Sequence, residues 1–134
     1  MTALLTLERN TQLYGLCELI LDSNEGIDLV AIIDQKGRVI ENKIRDDRVI
    51  KNLTEQKKEM LFMESALQLS MIQDFNDEFG AVKYTYSTRE KVSFFLFLIN
   101  DYGVIVISEP NENPSLLATK VIEIIGYQLN QTMR

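Results

Sequence analysis

Apolar residues recur along the chain with two periods, and the switches between them lay out the elements. Leu13, Leu16, Cys17 and Ile20 fall at i, i+3, i+4 and i+7, one face of a helix, with Tyr14 and Leu21 widening it. The spacing predicts a helix over 2–22, ended by Ser23-Asn24-Glu25-Gly26 with Gly26 in a left-handed exit. Ile27–Ile33 (IDLVAII) is β-branched and reads as a strand. Asp34-Gln35-Lys36-Gly37 then turns the chain, with Gly37 supplying positive φ and Asp34 bonding to turn amides. Arg38–Asn42 returns as the second strand.

A long helix is predicted over 54–79, with Thr54 as its cap and Gly80 as its stop. Phe62, Ala66, Leu69, Ile72, Phe75 and Phe79 form one stripe. Met60, Met63, Leu67 and Met71 form an adjacent one, so the apolar surface is wider than one sheet face covers. Three of these four are Met, which suits an adaptable contact surface. Three strands follow: Ala81–Ser87, which alternates; Val92–Ile99, almost wholly apolar and so covered on both faces; and Val104–Ser108. Asn113 caps a last helix that runs to about Asn130, with Pro114 in its first turn. The order α-β-β-α-β-β-β-α places five strands in an antiparallel sheet with helices, an α+β sandwich.

Charge is unevenly placed. The chain holds 14 Lys+Arg against 20 Asp+Glu, a net −6. The stretch 36–58 nevertheless carries eight basic and four acidic residues, an excess of four positive charges. It reads as a solvated loop or as a docking patch for an acidic partner or a phosphate, with Arg45, Arg48 and Lys51 as the docking candidates. Part of 43–53 is expected to be flexible, since only Ile44, Val49, Ile50 and Leu53 anchor it.

Composition narrows the chemistry. There is no His and one Cys, which removes the commonest general base, any internal disulfide and any Cys-based zinc site. Phosphate-loop, dinucleotide and nucleophile-elbow signatures are absent. Cys17 lies inside an apolar stripe and is expected to be a small core residue. Asp74 and Glu78 lie one turn apart, but a solvated face is the simpler reading. Asp22–Gly26 begins like a calcium loop and fails at its twelfth position, Ile33. Neither a metal nor a cofactor is expected. The acidic balance argues against nucleic acid. Met1–Leu5 lacks the basic start of a secretory leader, and the longest apolar run, Phe94–Ile99, is far short of the roughly 20 residues of a membrane helix. A cytoplasmic protein without membrane insertion is expected.

The element order, the hairpin VAIIDQKGRVI after the first helix, and a long second helix followed by a three-strand meander and a closing helix resemble the roadblock/LC7 superfamily over about residues 10–130. Within that group, EMLFMESALQLSMIQDF, YSTREKVSFF and VIVISEPN are similar to a small family of archaeal proteins of the same layout. The resemblance implies a single domain over 1–134 that is a non-enzymatic, dimeric interaction module. Several roadblock domains bind small GTPases or scaffold signalling complexes, and their dimers commonly pair the long second helix and the third strand. Here those segments are 58–79 and 81–87, which makes Met60, Met63, Leu67, Met71, Val82, Tyr84 and Tyr86 the expected homodimer interface. The expected partners are a second copy and a small GTPase or other regulatory protein. Profilin-like sensor domains share related layouts, so a small-molecule sensor is the alternative. It needs a cavity with convergent polar groups, and Val92–Ile99 offers only Ser93.

Overall fold

A five-stranded antiparallel sheet carries helices on both faces. The computed structural model describes residues 15–110 and 113–132. Helix α1 (15–22) leads into β1 (Ile27–Ile33) and β2 (Val39–Ile44). Helix α2 (Glu55–Ile72) continues through a 3₁₀ turn (Gln73–Phe75) into the short α3 (Asn76–Phe79). Then come β3 (Thr85–Thr88), β4 (Ser93–Ile99), β5 (Tyr102–Ser108) and α4 (Pro114–Thr132). The strand order is β2-β1-β5-β4-β3, with every neighbour antiparallel. This is the α+β layout that the hydrophobic pattern predicts. The expected helix over 2–14, with Leu13 and Tyr14, lies outside the described residues.

Strand alternation decides which layer each residue joins. Val30, Ile32, Phe95, Phe97, Val104 and Val106 meet Leu16, Cys17 and Ile20 of α1 and Leu117, Ala118 and Val121 of α4. Leu29, Ala31, Ile33, Leu96, Ile105 and Ile107 face the other way, onto Ala66 and Leu69 of α2. Every residue of β1 is buried, which explains why IDLVAII is apolar at both parities save for Asp28. Each large apolar side chain fully buried here contributes roughly 1.5–3 kcal/mol.

The β1–β2 turn forms as its sequence suggests. Asp34 Oδ1 accepts the amides of Lys36 and Arg38, both at 2.9 Å. Gly37 has φ 84°, and a Cβ there would lie 2.7 Å from the Phe62 carbonyl oxygen and from Met63 Cα. Glycine is therefore required twice, by the backbone angle and by the closeness of the α2 backbone.

Several expectations need correction. β2 runs Val39–Ile44, starting and ending later than 38–42. Gly26 does not take a positive φ. The chain instead leaves α1 through Asn24, whose Oδ1 accepts the Gly26 amide at 2.8 Å. β3 is only Thr85–Thr88, because its ladder with β4 begins at the Thr85–Leu96 pair and 81–84 makes no strand pairing. The helix expected over 54–79 is in two pieces. Thr54 caps it as expected, accepting the Lys57 amide at 3.1 Å. The 3₁₀ turn at Gln73–Phe75 then winds at 3.0 residues per turn instead of 3.6, which rotates everything beyond it. Phe62, Ala66, Leu69 and Ile72 keep the sheet-facing stripe. Phe75 and Phe79 leave it and stack on each other in solvent, centroids 5.9 Å apart.

Candidate functional site

The α2 face turned away from the sheet is the chief exposed apolar surface of the described residues. Met63, Leu67 and Met71 are 59%, 60% and 58% exposed, and Met60 is also exposed. They are the residues that helical spacing leaves over once Ala66 and Leu69 have met the sheet. β3 is the last strand on one side of the sheet, its ladder is paired only with β4, and its Ser87 lines the same groove as Met60. Tyr86 in this strand and Tyr84 just before it pack against the core. Tyr86 packs on Phe95 with centroids 4.9 Å apart, and Tyr84 on Phe97 at 6.0 Å. Val82 is half-buried in the segment before the strand. The backbone of β3 is thus open while its Tyr86 ring, like that of Tyr84 just before it, turns inward.

The segment after β2 has polar anchors besides the few apolar ones that the sequence shows in 43–53. Arg45 Nη1 donates to the carbonyl oxygens of Asn24, Glu25 and Ile27 at 2.9, 2.8 and 2.7 Å, and its Nη2 donates to that of Leu21 at 2.6 Å. One planar guanidinium thereby satisfies four acceptors where α1 ends and β1 begins. Arg48 Nη2 meets the carboxylate of Asp28 at 2.7 Å. Burial pushes the Asp28 carboxyl up, Arg48 opposes, Asp46 and Glu109 add repulsion, and the group stays above the ordinary carboxylate range. Two of the three docking candidates therefore have structural work, whereas the Lys51 side chain makes no ion pair or hydrogen bond among the described residues.

So anchored, the segment 45–53 forms a strap along the first turns of α2. Val49, Ile50 and Leu53 line one wall of a groove of about 450 Å³ whose floor includes Phe94 and Ile107. Lys57 and Arg89 also line it. Sequence reasoning missed this groove: Arg89 sits in a turn 32 residues from Lys57, and no local pattern joins them.

A second cleft, of about 350 Å³, lies between the β1–β2 and β4–β5 turns and the C-terminal half of α2, with Asp34, Ser70, Gln73, Asn100 and Asp101 along it. Asp34 is already committed to its own turn. Burial would raise its carboxyl, but the Arg38 amide and guanidinium and the Lys36 amide together outweigh burial and hold it below the ordinary range. Among the described residues no three His, Cys, Asp or Glu side chains are grouped to hold a metal ion, and Asp74, Asp77 and Glu78 are all exposed. Nor is any described helix long and apolar enough to cross a membrane.

Solved structures share this architecture. A Roadblock/LC7 domain from Streptomyces avermitilis superposes with a TM-score of 0.66 at 10% identity, covering 90% of this chain and 98% of that one. MglB of Myxococcus xanthus gives a TM-score of 0.70 at 13% identity over 94% of this chain and 90% of that one. The gliding protein MglB of Thermus thermophilus gives 0.62 at 14% over 94% and 92%. These superpositions establish a roadblock/LC7-like fold, and at such low identity the fold alone. No curated protein matches the sequence. The sequence itself fits a family model over residues 9–133, and the chain belongs to that family of unknown function, DUF6659.

Proposed function

We propose that the chain is a single roadblock/LC7-like domain acting as a non-enzymatic interaction module, which self-associates as a homodimer and in that form docks a regulatory protein in the cytoplasm. The observation that carries this reading is the pairing of an exposed apolar stripe on α2 with an open strand edge beside it. Met60, Met63, Leu67 and Met71 supply the side-chain part of the interface. The backbone of β3, which contains Tyr86 and follows Val82 and Tyr84, supplies the edge. Such an edge beside an apolar patch is a liability for a monomer, and pairing it removes the open N–H and C=O groups. A small GTPase is the partner class that the roadblock resemblance implies. The acidic composition and the absence of His and of a second Cys support a protein partner over nucleic acid or catalysis. On the basic segment, Lys51 is the docking candidate left unengaged.

Light scattering at micromolar concentration tests the core of this reading. The expected mass is about 31 kDa, twice the 15.4 kDa chain. Leu67→Glu should return the monomer mass with an unchanged circular dichroism spectrum. A wild-type mass of about 15 kDa overturns the dimer.

The sensor alternative rests on the cleft between the two turns, where several polar side chains converge. A metabolite-library thermal-shift screen in which Ser70→Leu and Gln73→Leu abolish every hit would favour it.

A further inference from the structure

The groove beside the strap has an apolar length and a basic end. Val49, Ile50 and Leu53 form one wall, and Phe94 and Ile107 lie in its floor. Its two cations gather at one end of the sheet. Thr88 pairs with Ser93 and Ser93 with Ser108, so the β3–β4 turn that carries Arg89 stands at the Ser108 end of β5. Helix α2 starts at the same end, because Leu69, twelve residues beyond Lys57, has already reached Gly103 at the opposite end of β5. Neither Lys57 nor Arg89 has an ion-pair partner among the described residues, in a chain with 20 acids. Glu64, the one acid lining the groove among the described residues, lies seven residues past Lys57, roughly 10 Å further along the helix axis.

The remaining polar groups of the groove are few or already spent. Ser65 Oγ donates to the Leu61 carbonyl oxygen at 2.8 Å, and the strap amides of Ile50, Lys51 and Leu53 donate to strap carbonyls. A peptide seated here would bring backbone N–H and C=O groups that these walls do not pair, whereas a hydrocarbon chain brings none. The strap wall is fixed in advance by the Arg45 and Arg48 contacts, so little ordering accompanies binding. The groove's volume of about 450 Å³ falls within the roughly 300–1,000 Å³ of small-molecule sites, and a mostly apolar lining with a few placed charges is their usual make-up.

We propose that this groove binds a single-chain amphipathic carboxylate, a free fatty acid. The carboxylate sits between Lys57 and Arg89, and the hydrocarbon chain runs along α2 over Phe94 and Ile107 toward Gln68. Charge fixes the orientation, since the reversed ligand would set its head near Glu64 and away from both cations. The site goes beyond the interaction-module reading and does not depend on it: of the expected dimer residues, Met60 alone lines the groove.

Calorimetric titration of the full chain with dodecanoate, kept below its micelle concentration, tests this. Saturable binding of one dodecanoate per chain is expected, with dodecanol and dodecylamine weaker by at least about tenfold. Octanoate should be weaker than dodecanoate by about fourfold for each buried methylene removed. Lys57→Gln/Arg89→Gln, at two exposed positions, should weaken dodecanoate by about tenfold. Lys83→Gln/Lys120→Gln removes the same charge outside the groove and should change binding by less than about twofold, with thermal melts confirming that both variants fold. Dodecanol that binds as tightly as dodecanoate, affinity that ignores chain length, or equal losses in the two variants overturns the proposal. So does protein that sediments with phosphatidylglycerol vesicles or binds an acidic peptide but takes up no free dodecanoate.

Discussion

The guanidinium of Arg48 lies 2.7 Å from the carboxylate of Asp28, a residue 20 positions earlier whose side chain is only 6% exposed. Asp28 is the single polar residue of β1, and its backbone carbonyl also accepts the Arg45 and Asp46 amides at 2.7 and 3.2 Å. The strap is therefore tied to the sheet by backbone and side chain at one residue.

Truncating the cation should be worse than neutralising the anion. Arg48→Met leaves an unpaired carboxylate in a dry site and should cost about 2–3 kcal/mol at pH 7, reduced from the fully buried case because Arg48 is partly exposed. Asp28→Asn should cost less, since the amide keeps an acceptor for Arg48 and carries no charge. The sign of the pH dependence follows from the raised Asp28 carboxyl. Its protonated form is favoured in the folded state, so its contribution is greatest below pH 3.8 and is lost as pH rises through the folded value. The Arg48→Met penalty, measured by urea denaturation, should accordingly shrink on acidification from pH 7 toward pH 4.5. A penalty that grows instead would contradict the buried-carboxylate account.

Arg45 is a matter of shape as well as charge. Arg45→Lys keeps the charge but offers one ammonium where a planar fork meets four carbonyls, so it should destabilise by about 1–2 kcal/mol. Hydrogen exchange should localise the loss to amides in 20–28. Equal protection in the two proteins would mean that water replaces the guanidinium at no cost.

Gly37→Ala should destabilise by at least about 2 kcal/mol, combining left-handed strain with a clash against the α2 backbone. The backbone angle alone would cost less. Gly37→Asn tolerates the angle and still carries a Cβ, so it should recover little of the stability lost in Gly37→Ala. A full recovery in thermal melts would assign the whole effect to φ.

The Cys17 thiol should stay inert. Burial pushes it up to about 12, with Glu41 adding to the effect, and no surface of the residue is accessible. Labelling by an aromatic disulfide at pH 8 should proceed only through unfolding. Above pH 9.0 the unfolded chain ionises its thiol while the folded one does not, so alkaline pH erodes stability, and Cys17→Ala should flatten that slope. Fast labelling of the native protein would place the thiol at the surface.

Sequence alone determined what depends on neighbours in the chain. β1 is bounded as its apolar run suggests, because Ile27–Ile33 has no polar break other than Asp28 and both faces are buried. The Asp34–Gly37 turn and the Thr54 and Asn113 caps form as predicted, since each bond joins residues two to four apart, including the Leu116 amide to Asn113 Oδ1 at 3.2 Å. The surplus apolar width of α2 was legible too, since a helix turns at a fixed pitch whatever it packs against.

Tertiary structure decided everything that joins distant parts of the chain. Arg45 and Arg48 look from their surroundings like solvated charges, because the carbonyls and carboxylate that bind them come from 18 to 24 residues away. Tyr84 and Tyr86 look like edge contacts, but their rings have Phe97 and Phe95 to cover. Phe75 and Phe79 continue the core stripe at helical spacing, and only the tight turn at Gln73–Phe75 swings them into solvent. Periodicity assumes a constant pitch and a single neighbour per face, so one tightened turn, or one guanidinium reaching across the fold, escapes it.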